Sequence, residues 1–496
     1  MSPIPRLLAV ASIFAGMATA WSAELPHRLK EGKQLRLRVD LAKVLRKANP
    51  LVRGISMHGL TGYLRHPYAV GGKYQLEPAV LESVQELAIP NSRIFMTTRN
   101  GDITQEQVVD KAAEIYRKFG VPLDRVVLCI NNDELRNPKR VIEIIAHARK
   151  KGYGFTLWEL GNEPWNKGAV PKTLFDRDPK EYQRQALNVA KAIRDYDPKL
   201  KIIVPVVHEL ASPWSTGTMK ALAGYYDYVA GHHYGFSRFY RCTFEGMTLT
   251  ENYMVLQNIQ AMNAVLEQLN PGRDVHQWDT EWGMHSKSYD AQGRPQEPAL
   301  KPPFCLQNAN IMGTLHRAVR LIYYTREDFV HGASSWELFS RKHIPGFGIL
   351  TRDVPDQKFM IYWLYRHFPR YVGENILDIT GECPYYSATR KEHFQVKDRV
   401  TGPLTPVLAS YDPQDDELCF IIANGSLTKS VPSAIESVGF TSKKVAAIIL
   451  SHDDPEAHPL VAKESDIIKP LAVQTTGNQI RFTTPPHSVV FIKATR

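Results

Sequence analysis

At 496 residues the chain exceeds the usual size of one domain, and a barrel of roughly 250 residues or more plus a smaller domain accounts for it. Its formal net charge is +10, but the charges are scattered rather than clustered, which is the pattern of a solvated surface and gives no reason to expect a nucleic-acid partner. Cys129, Cys242, Cys305, Cys383 and Cys419 form an odd set without C-x-x-C spacing, which argues against a structural zinc site and against a disulfide framework; at most two bridges can form.

The chain opens on Arg6, an apolar stretch from Leu7 to Ala18, and Ala18-Thr19-Ala20. This reads as a signal peptide over residues 1–20, so the expected location is secreted or periplasmic. Its removal takes away one charge, Arg6, and leaves +9. The apolar stretch is short for a bilayer and no later run reaches about eighteen apolar residues, so no span is expected after cleavage, although an uncleaved N-terminal anchor stays open. Gln34 to Leu41 then alternates polar and apolar, and the segment 21–50 is expected to join a sheet formed far downstream.

From residue 51 to 370, short β-branched runs alternate with amphipathic helical patterns, the signature of βα units around a parallel sheet. The predicted strands are Gly54 to Met57, Ser92 to Met96, Val126 to Asn131, Phe155 to Leu160, Lys201 to Val207, Tyr228 to Gly231, Val275 to Thr280 and Ala333 to Phe339. Eight such runs predict a (β/α)8 TIM barrel. Between them, Thr104-x-x-Gln107 reads as a capping box before Val108, Val109, Ala112, Ile115, Tyr116 and Phe119, and Tyr182, Ala186, Val189, Ala190, Ile193 and Tyr196 repeat the helical spacing. Pro205 counts against the fifth strand, because proline cannot donate to a ladder. Cys129, inside the apolar run Val126 to Ile130, reads as a buried free thiol. Over 371–496 helical periodicity fades and turn-punctuated runs appear at Pro406 to Tyr411, Glu417 to Ala423, Lys444 to Leu450, Gln479 to Thr483 and Ser488 to Lys493, which read as a β-sandwich.

Placing the polar residues on these strands brings many to C-terminal strand ends, where a barrel keeps its cleft. His58 follows the first strand, Arg93 lies on the second, Asn131 and Asn132 follow the third, and Asn162 and Glu163 follow the fourth in Trp158-Glu159-Leu160-Gly161-Asn162-Glu163-Pro164. His208 and Glu209 follow the fifth, His232, His233 and Tyr234 the sixth, Glu281 and Trp282 the seventh, and Trp336 sits in the eighth. Two glutamates at two strand ends are the equipment of glycoside hydrolysis, in which one carboxyl group protonates the leaving oxygen while the other attacks the anomeric carbon or activates water. Each motif alone has a plainer reading: Asn-Glu-Pro as a helix-start turn, Thr-Glu-Trp as surface, Arg93 as a structural ion pair, Tyr234 as core packing. His58 and His233 stay open between cleft and core, and His208-Glu209 reads as structural.

A zinc mechanism would need the histidines to converge, but no H-E-x-x-H occurs and adjacent histidines on a strand point to opposite faces. G-x-S-x-G, G-x-x-x-x-G-K-[ST] and G-x-G-x-x-G are likewise absent, which disfavours serine hydrolases and nucleotide- or dinucleotide-dependent enzymes. No metal and no organic cofactor is expected.

On Gly161-Asn162-Glu163-Pro164 and the eight-strand layout, the sequence resembles clan A of the retaining glycoside hydrolases. Trp158 to Pro164, His232-His233-Tyr234 and the barrel-plus-sandwich order are similar to heparanase and β-glucuronidase-like enzymes, with xylosidase and arabinofuranosidase-type members close behind; Trp282-Gly283-Met284 departs from the heparanase-like sequence. The resemblance implies that Glu163 is the general acid/base, Glu281 the nucleophile, and Asn162 the partner of the sugar 2-hydroxyl. It implies that Tyr234 orients Glu281 with Arg93 beneath it, and that Trp336 forms an apolar floor. His58, Asn131, His233 and Trp282 complete the candidate substrate contacts. The substrate expected is a polysaccharide or oligosaccharide; the positive charge and the glucuronidase-like resemblance motivate a uronate-containing glycan, with Arg238, Arg241 and Lys287 as the candidate contacts, and the plainer reading of both arginines is solvated loop charge. A non-catalytic glycan-binding protein and a transglycosylase are the alternatives. Oligomeric state, linkage and endo or exo action are not legible.

Overall fold

The computed structural model describes residues 25–57, 78–96, 104–166, 175, 178–238, 242–287, 308–340, 348–351 and 358–496. All eight barrel strands lie among them: β1 (Gly54–Ile55), β2 (Ser92–Phe95), β3 (Val126–Cys129), β4 (Leu157–Glu159), β5 (Lys201–Pro205), β6 (Tyr228–Ala230), β7 (His276–Lys287) and β8 (Gly332–Ser335). They pair in parallel in chain order, β8 returns to β1, and a parallel bridge from Met57 to Ile94 brings β1 against β2. Seven of the eight strands are shorter than the apolar runs that announce them, because residues at the end of each run leave the ladder to feed the loops above, whereas β7 runs on to Lys287, past its expected end at Thr280. That shortening also resolves the proline: Pro205 is the last residue of β5, paired with Ala230, where a missing donor costs little.

Each strand is followed by a helix: α1 (Pro78–Glu86), α2 (Gln105–Phe119), α3 (Pro138–Lys150), α4 (Pro179–Tyr196), α5 (Thr218–Ala221), α6 (Glu251–Leu269), α7 (Ile311–Arg326) and α8 (Met360–His367). The predicted capping box forms at α2, where Thr104 accepts from the Gln107 amide and Gln107 reaches back to the Thr104 amide. Gly120 ends that helix in the left-handed conformation. Inside the barrel, Val127, Leu157, Ile203, Tyr228, Ala230 and Trp278 pack as one layer, and Phe95, Cys129, Tyr234 and Trp336 as another.

The C-terminal β-sandwich domain is a single hydrogen-bonded path of mostly antiparallel strands. The five predicted runs appear as Val407–Asp412, Glu417–Asn424, Lys444–Leu450, Gln479–Thr484 and Ser488–Thr495. Two long members, Asn375–Cys383 and Val431–Val438, carry no such signal, since Gly381 and Pro432 interrupt their patterns. Between them lies the N-terminal strand Leu35–Lys47, antiparallel to the first and parallel to the second. Among the described residues no helix is long and apolar enough to cross a membrane, and Cys129, Cys383 and Cys419 are free. The signal-peptide reading lies on residues outside those described.

Gly381 has φ +125°, and a Cβ there would stand 1.9 Å from the Arg36 carbonyl oxygen of the paired N-terminal strand. An alanine has no room unless the two strands separate. Gly381→Ala is expected to cost about 2–4 kcal/mol through backbone strain and overpacking. It should lower the thermal midpoint by several degrees, and a midpoint unchanged within a degree contradicts this packing.

Candidate active site

The site grows from the buried guanidinium of Arg93 on β2. Its Nε and Nη1 donate to the carboxylates of Glu159 on β4 and Glu281 on β7, and its Nη2 donates to Asn162 Oδ1 at 2.9 Å and lies 3.4 Å from Cys129 Sγ. Arg93 and Glu159 are fully buried and Glu281 nearly so. A buried charge persists only when paired and hydrogen-bonded, and here one cation holds three strand ends together.

Glu281 reaches this cation because β7 is irregular. The register against β8 shifts between Asp279 and Trp282, which is a bulge at Thr280–Glu281. Trp278 and Thr280 face the barrel interior by ordinary alternation, and the extra residue turns Glu281 inward as well. The second Glu281 oxygen accepts from the Tyr234 hydroxyl at 2.9 Å. Burial pushes the Tyr234 phenol far up, with the Glu281 charge adding to the effect, so it stays a donor.

Glu163 projects from the turn after β4. Gly161 has φ +90° and packs so tightly that a Cβ would fall 2.2 Å from Asn132 Oδ1. That oxygen accepts from the Asn162 amide at 3.1 Å, and Asn132 Nδ2 donates to the Asn162 carbonyl at 2.8 Å. Glu163 itself takes φ +40°, a conformation costly for a non-glycine residue that persists only when its surroundings fix it. Its Oε1 is 3.1 Å from His232 Nδ1 and its Oε2 accepts from Asn166 at 2.7 Å.

His232 stands between the carboxylates. Its Nδ1 lies 3.9 Å from Glu281 Oε2, and its Nε2 lies 3.1 Å from Thr280 Oγ1 and 3.5 Å from Glu159 Oε1. Burial works against its charge, but Glu281, Glu159 and Glu163 together raise it to about 10. Burial likewise pushes Glu163 up, yet the His232 and Asn166 hydrogen bonds prevail and hold it down to about 2. Glu281 is raised, burial outweighing His232 and Arg93. The free site therefore keeps its mobile proton on His232, against Glu163.

Of the residues expected here, Arg93, Asn162, Glu163, Tyr234 and Glu281 come together, and Trp336 packs edge-on to Phe95 beside them at 5.4 Å. Two others are corrected. His233 turns away: its ring bonds Gln277 Oε1 at 2.8 Å and sits over Gly231, because the left-handed backbone at His232, φ +43°, rotates the pair so that His232 faces the cleft. Trp282 lies fully buried against Tyr324, 5.7 Å between ring centroids, since the bulge spends the inward position on Glu281. Asn132, the neighbour of the candidate Asn131, grips the turn that carries Glu163. Arg93 lies below the cleft and positions Glu281. His58 and Arg241 lie outside the described residues, as do the side chains of Arg238 and Lys287. His232 and Glu159 went unselected. A glutamate inside the apolar run before Leu160 was the available signal, since such a charge demands a buried partner.

The facing donor atoms of Glu163, His232 and Glu281 all lie within 4.8 Å of one another, the one grouping among the described residues spaced to hold a cation. A proton shared between His232 and Glu163 accounts for their contact.

Residues 280–488 match the family model of the alpha-L-arabinofuranosidase C-terminal domain. Among solved structures, the chain is similar to a family 51 alpha-L-arabinofuranosidase from Bifidobacterium longum, with 15% identity over 93% of this chain and 100% of that one and a TM-score of 0.69. A family 51 alpha-L-arabinofuranosidase from Thermotoga petrophila RKU-1 gives 17% identity over 92% and 99%, with a TM-score of 0.68. A family 44 xyloglucanase from Paenibacillus polymyxa gives 12% identity over 94% and 100%, with a TM-score of 0.58. No curated protein sequence matches the chain. At these identities the structural likeness is one of fold, and with the family-model match it supports the resemblance to clan A glycoside hydrolases.

The raised pKa of His232 has a stability consequence of defined sign. Its increment over His232→Gln should be fully present below its ordinary 6.5 and fade as pH rises through about 10. Denaturant unfolding of both proteins at pH 6, 8 and 10 checks this, and a gap that holds or widens with pH contradicts it.

Proposed function

We propose that the protein is an exported retaining glycoside hydrolase in which Glu281 is the nucleophile and Glu163 the general acid/base. The observation that carries this is the pair itself: two carboxylates in one cleft with facing oxygens within 4.8 Å. Double displacement uses carboxyl groups about 5–5.5 Å apart, whereas inversion leaves roughly 6.5–9.5 Å for a water.

In the first step Glu281 attacks the anomeric carbon and the glycosidic oxygen leaves with a proton from Glu163. That proton is available across the 3.1 Å contact to His232 Nδ1, so Glu163 becomes an acid although it is ionised in the free site. The Glu281 charge vanishes as its ester forms. In the second step Glu163 takes a proton from water, whose oxygen attacks the same carbon and returns Glu281 as carboxylate. Asn162, held by Arg93, is placed for the sugar 2-hydroxyl, and Trp336 for the ring face.

For substrate, the match over residues 280–488 and the family 51 neighbours favour an α-L-arabinofuranoside. The uronate reading rests on net charge and on the glucuronidase-like resemblance. A non-catalytic glycan-binding role is disfavoured by retention of both glutamates, and a transglycosylase would share every catalytic group.

Glu281→Ala should abolish turnover of every substrate, with azide restoring it only as the inverted glycosyl azide. Glu163→Ala should spare the first step on activated leaving groups, and azide should then give a product of retained configuration. The reverse pattern exchanges the two roles, and wild-type inactivity across a glycoside panel rejects the enzyme. On that panel, aryl α-L-arabinofuranoside should be preferred over the β-xyloside and β-glucuronide; glucuronide preference restores the uronate reading.

A further inference from the structure

Behind the cleft, on the helix side of β6 and β7, lies a buried polar group that the reaction above does not use. Asp279 Oδ1 accepts from the His233 amide at 3.2 Å, and Asp279 Oδ2 accepts from the Tyr324 hydroxyl of α7 at 2.7 Å. Arg320, one turn earlier on α7, donates through Nη1 to the His233 carbonyl at 3.3 Å and to the Tyr324 hydroxyl at 3.3 Å. Its Nε donates to Asn252 on α6 at 2.7 Å. All are buried.

The two peptide planes flanking His233 are thus held from behind, one by an anion and one by a cation. The first joins His232 to His233, and the second joins His233 to Tyr234. His232 is in the left-handed conformation at φ +43°, and the Tyr234 amide donates to its carbonyl at 2.9 Å. A non-glycine residue relaxes from that conformation unless its neighbours over-determine it, at a cost of order 1–3 kcal/mol. The hydrogen bond that the His233 amide donates to Asp279 fixes the peptide that leaves His232. Without it the backbone can swing towards an extended strand, and His232 Nδ1 moves off Glu163 Oε1.

Resting on the glycosidase reading, we propose that Asp279, braced by Tyr324, is a positioning residue for the acid/base: it holds His232 in the strained conformation that supplies Glu163 with its proton. Asp279 touches neither substrate nor reacting atoms. Its influence runs through the His232–Glu163 contact, while Glu281 keeps its own supports in Arg93 and the Tyr234 hydroxyl.

The test compares kcat/KM, which reports the first irreversible step, on two substrates of the same sugar. One is an aryl glycoside with an activated leaving group and the other an unactivated oligosaccharide. Asp279→Ala should lower kcat/KM at least tenfold on the oligosaccharide and less than threefold on the aryl glycoside, since only the former needs a proton. Asp279→Asn keeps an acceptor for the amide and should restore most of the loss, and Tyr324→Phe should give a weaker form of the same split. Equal losses on both substrates, or none, overturn the proposal. If Asp279→Ala does not fold, the Tyr324→Phe split decides alone. If the wild type turns over no glycoside, the functional reading has failed, and the positioning claim is judged by NMR of histidine-labelled protein at fixed pH. The His232 imidazole signal, identified by its loss in His232→Gln, should then move in Tyr324→Phe and Asp279→Ala and return in Asp279→Asn; an unmoved signal rejects the claim.

Discussion

A guanidinium with no access to water is the constraint around which the barrel's upper end is arranged. Desolvating one ion costs several kcal/mol even after relaxation, and Arg93 is buried with two carboxylates that pay the same penalty. None of the three is tolerable alone. The set persists because β2, β4 and β7 bring the charges together, and Thr280 satisfies the Glu159 oxygen that Arg93 leaves free, at 2.9 Å. The proposed nucleophile therefore inherits its position from a structural necessity. Moving Glu281 would strand a buried charge.

Three carboxylates face one guanidinium and one imidazole, so the imidazole must hold a proton to bring the set near neutrality. This explains why the directions in the free site run opposite to the proposed roles, with Glu163 ionised and Glu281 raised. A carboxyl buried alone is kept protonated by its surroundings. Here the proton is stored one hydrogen bond away, and it is needed on Glu163 only as the leaving oxygen gains charge.

The architecture was legible because parallel barrel strands are buried on both faces and read as short apolar runs ended by polar residues. The two glutamates were legible for the same reason, standing where a run stops. The errors fall where the backbone departs from regular geometry. A strand that alternated strictly would send Thr280 and Trp282 inward together, and the bulge that turns Glu281 inward sends Trp282 to the helix side. Of two adjacent histidines one must face the cleft, but φ +43° at His232 decides which, and no pattern of residue types encodes that angle. In the sandwich, Gly381 and Pro432 disguised two strands that pairing with Leu35–Lys47 holds in the sheet.

α7 links the two domains to the site in a way that no single motif announces. It is buried on every side, unusual for a barrel helix, because the sandwich strands Val407–Asp412, Glu417–Asn424 and Ser488–Thr495 pack on its outer face. Its buried arginines find carbonyl partners in different directions. Arg317 donates to the Trp336 carbonyl at 3.1 Å, Arg320 to the His233 carbonyl at 3.3 Å, and Arg326 to the Val407 carbonyl of the sandwich at 2.8 Å. A helix exposed to water would let these side chains solvate themselves. Buried, they satisfy their donors on neighbouring side chains and on backbone, and the backbone within reach includes the segments that carry Trp336 and His232. The sandwich thus bears on the cleft through α7, which its packing turns into a brace behind the site.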